Sequence, residues 1–200
     1  MEEAKVILKQ ITASIPETAY GVERMMLIGD LISRLSLEER VLIKRLFDSF
    51  LIKMSETMAS DIDIGGFGSQ GRIWYRIFGN KTPDSSWGIF SFDEVNVIIL
   101  TILLERQRQF LYENRNLDFS YTIFRNDQMF RFRADAYFDL DQMALNMRAI
   151  NAVVRPYKGL DLHPNVSKIL SLAHTMEGLV LITGITGSGK SATLDSIIDA

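Results

Sequence analysis

The chain has 200 residues, 47% of them apolar, with 22 basic residues dispersed among 25 acidic ones for a formal net charge of −3. Such a composition is enough for a packed core, and charge this evenly mixed argues against a primary grip on a nucleic-acid backbone. The absence of cysteine excludes a disulfide framework and a thiolate metal site, and no apolar run approaches the roughly 20 residues of a membrane span, so the chain reads as a soluble protein without a transmembrane segment.

Residues 1–58 read as a helical amino-terminal segment, broken near Pro16 and Gly21. Ser36 and Glu39 form a capping box, and Val41, Leu42, Leu46, Phe47, Phe50, Leu51, Met54 and Met58 recur behind it at helical spacing. The texture changes near residue 60. Glycines 65, 66, 68, 71 and 79 punctuate short extended pieces such as Ile73–Phe78, and residues 81–88, with Pro83, read as a polar loop. A second capping box, Ser91 with Glu94, predicts one helix over 92–113.

Strands over 118–124 and 129–138 follow, joined by the polar turn Arg125–Gln128 as a hairpin. Alternation puts Phe130, Phe132, Ala134, Ala136 and Phe138 on one face of the second strand, with Arg131, Arg133, Asp135 and Tyr137 on the other. A third strand over 144–150 carries Arg148. Residues 59–152 therefore read as a small α+β domain and 153–162 as a linker. A short helix is expected from His163 to His174, with both histidines in capping or surface roles. Leu179–Thr183 has the continuous apolar character of a strand covered on both faces.

The strongest chemical signal comes next. Gly184, Gly189, Lys190 and Ser191 satisfy G-x-x-x-x-G-K-[ST], a pattern in which glycines let backbone N–H groups curl around a phosphate. The following helix offers its positive end to the same anion. Lys190 is the candidate for the β- and γ-phosphates of ATP and Ser191 for Mg²⁺, while Gly184, Thr186, Gly187, Ser188, Gly189 and Ala192 complete the candidate nucleotide contacts. Only nine residues follow Ser191, too few for the acidic metal ligand and water-orienting group that hydrolysis also needs, so residues 163–200 read as the incomplete start of an α/β nucleotide-binding domain.

The stretch Gly178-Leu179-Val180-Leu181-Ile182-Thr183-Gly184-Ile185-Thr186-Gly187-Ser188-Gly189-Lys190-Ser191-Ala192-Thr193-Leu194 resembles G-L-V-L-V-T-G-P-T-G-S-G-K-S-T-T-L of the secretion-ATPase superfamily, the motors of type II and type IV secretion and of type IV pili. The PilT-like retraction ATPases look closest. Asp118-Phe119-Ser120-Tyr121, Arg131-Phe132-Arg133 and Arg148-Ala149-Ile150 are similar to the family's D-F-S-Y, R-F-R and R-x-I segments, and Ser60–Ile64 resembles S-D-L-H-L with Asp63 in place of histidine. The resemblance implies a PAS-like α+β domain followed by a RecA-like P-loop domain. It also implies ATP hydrolysis with Mg²⁺ and a homo-hexamer at the cytoplasmic face of the membrane, attached to a membrane-embedded pilus or secretion platform. Arg131, Arg133 and Arg148 are then the candidates for approaching the nucleotide. The competing expectation is a non-catalytic assembly module with a vestigial loop.

Overall fold

The computed structural model describes residues 1–150, 156–170, 177–185 and 188–199, and the chain divides into two compact units, Met1–Ile150 and Asn151–Ala200. The first begins with three helices, α1 (Glu2–Ala13), α2 (Gly21–Arg34) and α3 (Leu37–Glu56). Both halves of the capping box at Ser36 are made: the Glu39 N–H donates to the Ser36 hydroxyl, and Glu39 Oε2 accepts from the Ser36 N–H at 2.8 Å. The buried stripe of α3 is Ile43, Leu46, Phe47, Phe50, Leu51 and Met54. Met58, expected on that stripe, lies past the helix end with φ +54° and is exposed.

Six strands form one antiparallel sheet: β1 (Ala59–Gly65), β2 (Ile73–Ile77), β3 (Asn80–Asp84), β4 (Asn116–Arg125), β5 (Gln128–Asp139) and β6 (Gln142–Ile150), in spatial order β3-β2-β1-β6-β5-β4. The segment around Pro83, expected as a loop, is the edge strand β3. An edge strand tolerates proline because a residue there can do without the ladder N–H on its outer side. The β4–β5 hairpin turns on Asn126 and Asp127, both at positive φ, as a two-residue primed turn requires. Gly65 closes β1 at φ +78°, where a Cβ would stand 2.2 Å from the Met143 carbonyl oxygen, so only glycine fits.

The single helix expected over 92–113 is two, α4 (Phe92–Ile102) and α5 (Glu105–Asn114). Leu103 and Leu104 are extended between them, the Leu104 N–H donates to Gln107 Oε1 at 2.8 Å, and the buried Arg108 reaches back to the Leu103 and Gly29 carbonyls. Side chains thus satisfy the polar backbone that the break exposes, which lets an apolar run bend without glycine or proline.

Helices α3 and α4 pack on β1, α4 also on β6, and α5 beside β4, while α1 packs on α3 and α4, and α2 on α4 and α5. The helices before residue 59 and the sheet after it share one core. Phe47 and Phe50 meet edge to face at its centre, joined by Tyr121, Trp87 and Phe90. The hydroxyls there are satisfied: Tyr75 donates to the Phe50 carbonyl, Tyr112 to the Met25 carbonyl and Tyr121 to Asp48. Arg24 binds Asp93 through two hydrogen bonds and ties α2 to α4.

In the second unit a 3₁₀ turn, Tyr157–Leu160, precedes α6 (Pro164–Leu170), and α7 (Lys190–Ile198) packs beside that turn. His163 caps α6 by accepting the Asn165 N–H on Nδ1, as expected; His174 lies outside the described residues. Leu179–Thr183 is not a strand. No strand stands beside it among the described residues, so the backbone has no ladder to join, and Leu179 and Leu181 are 82% and 74% exposed.

Candidate functional site

The expected loop and the expected arginines occupy different units. In the loop, Gly189 takes φ +87° and caps α7, so the helix opens at Lys190 with no side-chain cap on its first turn among the described residues. The Ser188 N–H donates to the Ile185 carbonyl at 3.2 Å. A Cβ on Gly184 would come within 2.6 Å of Ser188 Oγ, so the serine hydroxyl would have to turn aside to admit one. Lys190 Nζ donates to the carbonyls of Gly184 (2.8 Å) and Ile185 (2.7 Å), which holds an ammonium group at the mouth of the loop. Ser191 is exposed at the helix head, and Ala192 accepts at its carbonyl from the Ser196 hydroxyl within α7. Thr186 and Gly187 lie outside the described residues. A closed turn, a cation and a helix amino terminus converge here, and those are features that attract a phosphate anion.

In the first unit, the sheet face opposite the helices carries a row of polar residues that register alone produces. Across β2, β1, β6, β5 and β4 the directly paired residues are Arg76, Asp61, Arg148, Arg133 and Ser120. Arg131 lies on the same face two residues along β5 and makes no ion pair among the described residues. Arg133 meets Asp118 at 3.2 Å in a pair exposed on both sides, which contributes little to stability. Arg148 donates through Nε to Asp61 Oδ1 at 2.7 Å, and Asp61 is only 4% exposed. The three arginines expected from separate segments are therefore brought together. Asp61 is the member that local pattern does not single out, since its partners lie on strands distant in sequence.

Further along this face the charge reverses. Burial first, then Asp118 directly across the strand, raise the pKa of Asp135, while Arg133 opposes them. Tyr137 is raised by burial and by Asp63, Asp139 and Asp135. Asp63, standing where the resemblance has histidine, accepts from Asn146 and pairs with Lys81 at 3.0 Å. It lines a cavity of about 280 Å³ with Trp74, Tyr137 and Asp139.

The G-x-x-x-x-G-K-S motif stands at a helix head, the setting that pattern calls for, in a chain of mixed α and β structure. Its homologues are type IV pilus and secretion ATPases of the PilT-like kind. The chain is 32% identical over 109 residues to a twitching motility protein of Neisseria gonorrhoeae, a match covering 54% of this chain and 28% of that protein. It is 29% identical over 154 residues to the type IV pilus ATPase PilU of Pseudomonas aeruginosa, covering 76% of this chain and 37% of PilU. The crystal structure of the pilus retraction motor PilT with bound ADP superposes with a TM-score of 0.55 at 32% identity, over 74% of this chain and 41% of that one. The Legionella pneumophila ATPase DotB superposes with a TM-score of 0.63 at 25% identity, over 78% and 42% respectively. The chain thus spans well under half the length of these relatives. No protein-family profile matches it, and none of its described helices is long and apolar enough to cross a membrane.

Proposed function

We propose that this chain is part of an ATP-hydrolysing motor subunit that powers a type IV pilus or a type II/IV secretion machine. The observation that carries the reading is the loop: Lys190 and the glycines at 184 and 189 form a closed turn at the head of α7, in a chain homologous to a motor crystallised with ADP. On this reading residues 1–58 are a helical segment, 59–152 a PAS-like domain, and 163–200 the start of a RecA-like domain. The backbone of Gly184, Thr186, Gly187, Ser188 and Gly189, with Lys190, Ser191 and Ala192, would hold ATP, and the Ser191 hydroxyl would ligate Mg²⁺. Bound ATP with Mg²⁺ supplies an activated phosphoryl group for transfer to water. Lys190 neutralises phosphate charge, and the α7 amino terminus orients the same anion. Arg131, Arg133 and Arg148 serve the nucleotide of the assembled protein, where a guanidinium offsets charge on the transferring group. The whole protein works as a homo-hexamer, peripheral at the inner face of the cytoplasmic membrane and docked on membrane-embedded platform proteins.

The test is Mg²⁺-dependent ATP turnover by the full-length protein carrying this chain, beside its Lys190→Ala variant. Turnover that disappears in the variant is the expected result. A full-length protein that binds nucleotide and assembles yet turns over no ATP would replace the motor with the non-catalytic assembly module.

A further inference from the structure

Asp61 is the one carboxylate buried within the arginine row. Strand β1 lies between β2 and β6, so register places Asp61 opposite Arg76 on one side and Arg148 on the other. Its carboxylate accepts from Arg148 Nε at 2.7 Å and from the Ser60 hydroxyl at 2.7 Å, with Arg76 Nε 3.5 Å away. A carboxylate at 4% exposure is costly unless paired, which makes this arrangement a constraint on its partners as much as on itself.

The mode of pairing matters. Arg148 is engaged only through Nε, its side chain is 60% exposed, and its two terminal amino groups make no bond among the described residues. A planar guanidinium held at Nε has its fork fixed in direction while both terminal nitrogens stay available for a bidentate partner. Arg133 stands directly across β5 and β6 from Arg148, and the two like charges would drive each other apart without a counter-charge. Arg133 itself is held only by the exposed Asp118, and Arg131 by no carboxylate among the described residues.

We infer that Asp61 is a positioning residue: its buried carboxylate holds Arg148 by Nε and leaves the terminal nitrogens of that arginine free for a phosphate of the assembled protein's nucleotide. The inference rests on the proposed function, in which Arg148 serves the nucleotide.

The experiment measures kcat for ATP, nucleotide affinity and thermal midpoint in the full-length protein for Asp61→Asn, Arg148→Ala, Arg148→Lys and the double variant Asp61→Asn/Arg148→Ala. The expected result is a fall in kcat on the order of tenfold or more for each single variant, with nucleotide affinity within about twofold, and no further loss in the double variant, because residues that act as a unit are non-additive. Arg148→Lys keeps the charge but has no Nε, so it falls to the level of Arg148→Ala with an unchanged midpoint. That comparison stands even if Asp61→Asn proves unstable. Full kcat in Arg148→Lys, full kcat in Asp61→Asn beside a crippled Arg148→Ala, or a double variant that loses the product of both single effects would each overturn the inference while leaving the motor reading intact. Full kcat in Arg148→Ala would remove the arginine's role and the inference together, and absence of any Lys190-dependent turnover would remove the motor reading itself.

Discussion

Leu8, Ile28, Phe47 and Ile98 of the first unit are fully buried, whereas Leu179, Leu181 and Ile185 of the second are 82%, 74% and 82% exposed. The first unit packs a helix-on-sheet core whose buried tyrosine hydroxyls are hydrogen-bonded. In the second unit the described geometry is local: a glycine turn, a lysine on two carbonyls and a nine-residue helix. The buried core and the candidate nucleotide loop are thus written in different places, and substitutions should separate their effects.

The largest separation is expected between Phe50→Ala and Leu181→Ala. Phe50 is fully buried among Phe47, Trp87 and Phe90, so its truncation should cost about 3–5 kcal/mol in chemical denaturation of the 200-residue chain, whereas Leu181→Ala in the same chain should stay within about 0.5 kcal/mol. Equal effects would break the comparison. Next, Gly65→Ala forces a Cβ onto the Met143 carbonyl at positive φ and should lower stability by about 1–3 kcal/mol, read from the same denaturation curves.

A pH effect sharpens the contrast further. Burial pushes the Tyr112 hydroxyl up from 10.0 to about 12, and burial raises Tyr75 and Tyr121 in the same direction. The neutral phenols are favoured in the folded unit, so their contribution is fully present below pH 10 and is lost as pH climbs toward 12. Thermal midpoints should fall over that window, and Tyr112→Phe should reduce the fall. The smallest effect is Ser36→Ala, which removes the α3 cap and should cost about 1 kcal/mol by thermal unfolding.

Legibility in the sequence followed the range of the interactions. Both capping boxes, at Ser36 and Ser91, and the facing of β5 from Phe130 to Phe138 rest on neighbours within a few residues, and they were readable for that reason. The break at Leu103–Leu104 was not, because the groups that make it tolerable include the Gly29 carbonyl on another helix. Pro83 reads as a loop residue in the sequence because whether a proline suits a strand depends on which strand lies at the edge. For the candidate site, the loop at 184–191 was legible as a motif, and so were the three arginines through their resemblance. The alignment of Arg148 and Arg133 in one row with Asp61 needs β1 beside β6, a pairing between residues 87 apart in sequence.

The most direct test of the division between a structural unit and a nucleotide loop is amide hydrogen exchange on the full-length protein with and without Mg²⁺-nucleotide. The account predicts slow exchange in β1, β5 and β6 under both conditions, with nucleotide-dependent protection arising at residues 184–193. Unchanged exchange across those residues at saturating nucleotide would contradict it.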